Sequence, residues 1–190
     1  TPDRAAVIRE KVLEAMRQVR IPDPEKRMSA YPYELSGGLC QRIGIAAALA
    51  CNPRLLIADE PTTGLDVTTQ AVIMDMIRDI ARAGNLGTVL ITHDLALAAE
   101  YCDRIVVMHA GHVVETAPVE QLFATPRHPY TAGLVSARPH GSFQVDGRRL
   151  SDIPGVVPAP GARPPGCLFE PRCSRSKPDC RLARPALTDE

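Results

Sequence analysis

The apolar positions of the chain fall into two kinds of run, and the difference between them predicts the fold. Residues 55–58 are apolar without polar alternation and stop against two adjacent carboxylates, Asp59 and Glu60. Such a run predicts a strand buried on both faces, as a parallel sheet covered by helices requires. Residues 89–91 predict a second buried strand, with His93 just past its end. Between the two, a turn over residues 62–66 leads into a helix in which Ile73, Met76, Ile77 and Ile80 face inward and Gly84 marks the end. Upstream, Leu39, Ile43, Ala47 and Ala50 predict a helix with Ser36 as its N-cap. Ile8, Val12, Met16 and Val19 predict an amphipathic helix over residues 3–20, with Thr1 and Pro2 suited to its cap and first turn. Strand, helix and strand in this order predict an α/β fold, a parallel sheet flanked by helices.

Elsewhere the pattern is plainer. Residues 21–34 hold three prolines and predict a loop that delivers Ser36. Residues 95–100 predict a short helix, and residues 104–109 and 112–116 two strands of a hairpin turning at Ala110 and Gly111. Beyond Ala117 the composition changes. Residues 153–166, IPGVVPAPGARPPG, are too rich in proline for helix or sheet and predict an extended segment before an irregular, cysteine-bearing tail.

Composition narrows the function. The chain has 190 residues, enough for one domain with a core and a small appendage. Its 22 basic and 22 acidic residues give a net charge of zero, which argues against a broad surface for nucleic acid. The longest apolar run, residues 43–51, is far shorter than the roughly 20 residues that span a bilayer, and the first residues lack the layout of a signal peptide. A soluble chain is expected.

Three places carry candidate chemistry. Asp59 and Glu60 stand at the carboxyl end of the first strand, where open α/β sheets build their sites, and their mutual repulsion calls for a cation such as Mg²⁺ on a phosphate. Ser36, Gly37 and Gly38 open a helix whose first turn presents unpaired N–H groups, an anion site by construction. His93 comes level with the two acids if the strands are neighbours.

LSGGLCQR at residues 35–42, LLIADEPTTGLD at 55–66 and ITHD at 91–94 resemble, in that order, the signature motif, the Walker B motif with D-loop, and the H-loop of an ATP-binding cassette (ABC) transporter ATPase. YPYELSGG and the HPYT of residues 128–131 resemble the dipeptide and oligopeptide importer branch, with Tyr33 where histidine is usual; Leu39 stands where the commonest ABC signature has glutamine but importer ATPases often have an apolar residue, and Gly64 stands where alanine is usual. The resemblance implies an incomplete P-loop NTPase fold: residues 1–34 in a helical subdomain, 35–117 in the ATPase core, and 118–190 as the importer extension. It implies Asp59 on Mg²⁺, Glu60 as general base and His93 at the γ-phosphate of ATP. Ser36, Gly37, Gly38 and Gln41 would close on ATP held by a second cassette, with Asp66 bridging the halves. The implied partners are a second ATPase subunit, two transmembrane permease subunits and, indirectly, an extracytoplasmic peptide-binding protein. The implied place is the cytoplasmic face of the membrane. No G-x-x-x-x-G-K-[ST] occurs in the chain, so a carboxyl-terminal part of a longer cassette, inactive alone, is the expectation. Two other readings share these motifs: a soluble ABC ATPase acting on ribosomes or DNA, and a non-catalytic partner that lends only its signature helix.

Of the six cysteines, Cys40, Cys51 and Cys102 fall in apolar helical stretches and are expected as buried free thiols. Cys167, Cys173 and Cys180 fall in a polar, proline-bearing tail, where a disulfide or metal ligation is open. The resemblance implies a [4Fe–4S] cluster, which needs four thiolates where the chain supplies three, so the site is expected to be incomplete; zinc would refute the cluster.

Overall fold

A computed structural model of the chain describes residues 3–137 and 152–187. The chain divides into two compact units, Thr1–His93 and Asp94–Glu190. In the first, the helix Arg4–Gln18 (α1) starts at Asp3, whose carboxylate accepts the Ala5 N–H at 3.1 Å. The predicted cap residues Thr1 and Pro2 lie outside the described residues. Leu13, Met16 and Val19 are buried, whereas Ile8 and Val12 are exposed. Both Val12 and Leu13 satisfy a helical period with Met16, and packing on the next long helix selects Leu13. The expected loop contains one helical turn, Pro24–Arg27 (α2), and a 3₁₀ turn, Pro32–Glu34.

The helix Gly37–Leu49 (α3) begins at Ser36, whose hydroxyl accepts the Leu39 N–H at 3.4 Å. Its buried side is Ile45, Ala46 and Leu49 rather than the row through Ile43, Ala47 and Ala50. This helix is apolar nearly all round, so periodicity alone does not choose its inward face. Strand Leu55–Asp59 (β1) leads to the helix Val67–Gly84 (α4) and strand Gly87–Ile91 (β2). Ile73, Met74, Met76 and Ile77 bury the inner side of α4, with Ile80 half-buried. Asn85, in the left-handed conformation at φ 48°, caps its end beyond Gly84. β1 and β2 pair in parallel, with Asp59 opposite Ile91. The pair is not buried on both faces: Leu56 and Ala58 are buried, but Leu55 and Ile57 are 53% and 62% exposed. Among the described residues no helix covers that side of this two-stranded sheet, and a run of apolar residues cannot report whether its cover is present.

The second unit opens with the helix Leu95–Tyr101 (α5), capped by Asp94, which accepts the Ala96 and Leu97 N–H groups. Strands Arg104–His109 (β3) and His112–Pro118 (β4) form an antiparallel hairpin with an irregularity between Val107 and Met108. Ala110 and Gly111 turn at φ 49° and 82°, the positive pair that a two-residue hairpin loop requires. Ala98, Ile105, Val107, Ala117 and Leu122 form the core beneath the helices Val119–Ala124 (α6) and Pro129–Ser136 (α7). The remaining part of residues 118–139 beyond 137 lies outside the described residues. Residues 152–187 carry only 3₁₀ turns and a short helix, Asp179–Leu182 (α8). No described helix is long and apolar enough to cross a membrane.

All six cysteines are free, and the expectation of buried thiols at three of them is corrected. Cys40 is half-buried, Cys51 is exposed in the turn after α3, and Cys102 is half-buried where α5 ends. Of these three, only Cys40 lies within a helix, so an apolar neighbourhood in sequence overstated the burial of the other two.

Candidate functional site

The carboxyl end of the β1–β2 pair gathers the acids and the histidine. Asp59 is the last residue of β1, and the chain turns sharply after it. Glu60 donates its N–H to the Ile91 carbonyl at 2.9 Å and adopts φ 44°, a conformation that side-chain-bearing residues occupy at a cost. The turn throws the Glu60 carboxylate toward the end of β2, where its Oε1 lies 3.0 Å from His93 Nδ1. Thr63 donates its hydroxyl to the other oxygen at 2.7 Å. These two bonds, Thr63 first, hold the Glu60 carboxyl below the usual carboxylate range, so it is a charged acceptor at neutral pH. Both side chains stay open to solvent, His93 at 81% exposure, which leaves room for a ligand over them.

Thr63 is a contact of the Glu60 carboxylate that sequence reasoning missed. Its signal was its place three residues past Glu60 in a turn, where a hydroxyl reaches back over the chain. Asp66 is exposed and caps α4: its carboxylate accepts the Thr69 N–H at 2.9 Å and the Thr69 hydroxyl at 2.6 Å. Those bonds, the hydroxyl foremost, lower its pKa.

Ser36 and Gly37 are exposed at the start of α3, and Gly38 and Gln41 are half-buried. Gly38 has a packing reason to be glycine, since a Cβ there would stand 2.8 Å from Thr69 Cγ2 on α4. Just upstream, the Tyr31 and Tyr33 rings stack with centroids 5.4 Å apart, both exposed, and the Glu34 carboxylate accepts the Tyr31 N–H at 2.7 Å.

Two metal expectations can be tested on the residues themselves. Asp59 and Glu60 are exposed oxygen donors adjacent in the chain at the end of β1. That suits Mg²⁺, which takes one or two carboxylates and completes its shell with phosphate oxygens and water. The expected four-iron cluster finds no support among the described residues: Cys167, Cys173 and Cys180 are free thiols that are not gathered into a metal-binding group.

Comparison with known proteins bears on the same residues. Residues 4–63 match the family described as "ABC transporter", and residues 114–180 match "Oligopeptide/dipeptide transporter, C-terminal region". The dipeptide transport ATP-binding protein DppD of Escherichia coli (strain K12) is 51% identical over 179 residues, 94% of this chain and 54% of the relative. The chain belongs to the ABC transporter ATPases of the dipeptide/oligopeptide importer family. DppD of Haemophilus influenzae is 48% identical over 94% of this chain and 54% of its own. The ABC ATPase fold is shared with the dimeric ATP-binding cassette MJ0796, solved in a post-hydrolysis state with ADP and Pi. That match has a TM-score of 0.54 and 29% identity, covering 63% of this chain and 50% of the cassette. This ABC ATPase chain spans about half the length of the curated relatives it matches.

Proposed function

We propose that the protein carrying this chain is the ATP-hydrolysing subunit of a dipeptide or oligopeptide importer, working at the cytoplasmic face of the membrane. The observation that carries the reading is the Glu60–His93 pair, 3.0 Å apart at the tip of two parallel strands and beside Asp59, within a chain of this family.

In the complete protein, Asp59 would hold Mg²⁺, whose charge neutralises the phosphate oxygens of ATP. Glu60, held as a carboxylate, accepts a proton from the attacking water as general base. His93 keeps the Glu60 carboxylate in place through Nδ1 and would contact the γ-phosphate. Ser36, Gly37, Gly38 and Gln41 serve a different nucleotide. Their helix end presents backbone N–H groups to ATP held by a second cassette, the same chain or a relative, and Asp66 lies along that junction. The dimeric MJ0796 cassette supports a paired arrangement.

Closing and opening of the pair would move two membrane-spanning permease subunits, fed by an extracytoplasmic binding protein. Residues 1–34, 35–117 and 118–190 serve in this reading as helical subdomain, ATPase core and importer extension. The test is ATP-dependent accumulation of a labelled dipeptide by the complete transporter in vesicles. Uptake with the unmutated protein and none with His93→Ala is expected; full uptake with His93→Ala removes His93 from the site.

A further inference from the structure

The His128-Pro129-Tyr130-Thr131 segment carries none of the residues proposed for the ATP site, yet it is held by a network of hydrogen bonds within the second unit. The buried carboxylate of Glu115 on β4 accepts the Arg127 and His128 N–H groups at 2.9 and 3.0 Å. His128 Nδ1 in turn accepts the Tyr130 N–H at 3.1 Å, which starts α7, and Thr131 is fully buried. The rings of His128 and Tyr130 thereby become two walls of a pocket whose third wall is His109, 3% exposed at the end of β3.

Phe169 of the tail fills this pocket. It is 4% exposed, with ring centroids 5.3 Å from His109, 5.4 Å from Tyr130 and 5.8 Å from His128. Its neighbour Leu168 is also buried, and a ring N–H of His109 donates to the Leu168 carbonyl. The tail is tied to itself around this plug. Arg172 lies over the Phe169 ring at 5.8 Å and donates to the Pro154 and Ile153 carbonyls at 2.8 and 3.2 Å, while Ile153 lies against Gly133 of α7. The Cys167 N–H donates to the Cys180 carbonyl at 2.8 Å, and Glu170 accepts from Ser176 and Arg181 at 2.8 and 2.9 Å.

We propose that the His-Pro-Tyr-Thr segment is a receptor within the chain: with His109 it grips Phe169 and so fixes the loop that carries Cys167, Cys173 and Cys180 against the β3–β4 hairpin. The segment and the cysteines are then two halves of one device, and a single family match spans both. Four aromatic rings meeting edge and face give a large contact area at low entropic cost, which suits a permanent latch for a segment with little regular structure of its own.

The test is limited trypsin digestion of the intact protein, timing cleavage after Arg172 and Arg181. Phe169→Ala on the tail and Tyr130→Ala on the receptor are each expected to raise that cleavage tenfold or more, with cleavage within residues 3–93 unchanged. No rise in either variant, or a rise confined to Phe169→Ala, overturns the proposal. Hydrogen exchange on the unmutated protein gives a reading that does not depend on the variants folding. The Arg172 and Cys173 amides, which donate to the Phe169 and Glu170 carbonyls, are expected to be protected at least a hundredfold, and exchange at unfolded-chain rates overturns it.

Discussion

Gly38 offers a test in which packing and ligand access can be separated. An alanine there would place its methyl 2.8 Å from Thr69 Cγ2, well inside the roughly 3.5–4.0 Å at which two carbon atoms attract. Thr69 cannot turn aside freely, because its N–H and hydroxyl both bind Asp66. Overpacking of this kind costs about 1–3 kcal/mol, and the gain of alanine over glycine in a helix returns at most about 1 kcal/mol. The net expectation for Gly38→Ala is a loss of about 0–3 kcal/mol. Thr69→Ser removes the obstructing methyl and keeps the hydroxyl on Asp66. In the double variant the clash is gone, so the two changes should couple favourably by about 1 kcal/mol or more. Urea unfolding of the four proteins, compared at a common slope, measures this directly. Additivity to within about 0.5 kcal/mol would refute the packing argument and leave ligand approach as the reason for glycine.

Two further outcomes follow from hydrogen bonds and titration. Asp66→Ala removes the acceptor of both Thr69 bonds and should lower the urea midpoint, whereas Asp66→Asn, which keeps an oxygen for the Thr69 N–H, should recover most of it. Burial lowers the pKa of His109 and, separately, of His128 below the ordinary imidazole value of 6.5. The unfolded chain therefore binds more protons than the folded one just below that value. Stability of the second unit is full above it and is lost as pH falls through the folded-state values. Thermal unfolding of the second unit should move to lower temperature between about pH 7.5 and about pH 5, and His109→Gln should flatten the trend; an unchanged slope would count against the buried imidazole.

Much of the first unit was legible because its signals are local. Ser36 announces a helix start by its side-chain chemistry, and β1 announces its end by two acids that cannot continue a buried strand. What was not legible depends on partners distant in sequence. The exposed Leu55 and Ile57 read as buried because a run of apolar residues reports what a strand needs, not what covers it. The inward face of α3 was misplaced because almost every side of that helix is apolar. The Glu60–Thr63 bond and the positive φ at Glu60 depend on a turn whose shape no periodicity encodes. The tail misled in a different way. It was expected to be irregular, yet Phe169 and Leu168 are buried, Phe169 on rings some forty to sixty positions earlier in the chain, a docking that composition cannot express.

In the proposed function Glu60 is the base for ATP hydrolysis, and its carboxylate, not its bulk, does the chemistry. The most direct measurement is steady-state ATP turnover by the complete protein carrying Glu60→Gln, alongside equilibrium ATP binding. Retained binding with turnover down by on the order of 10²-fold or more is the expected result. Undiminished hydrolysis by that variant would contradict the account.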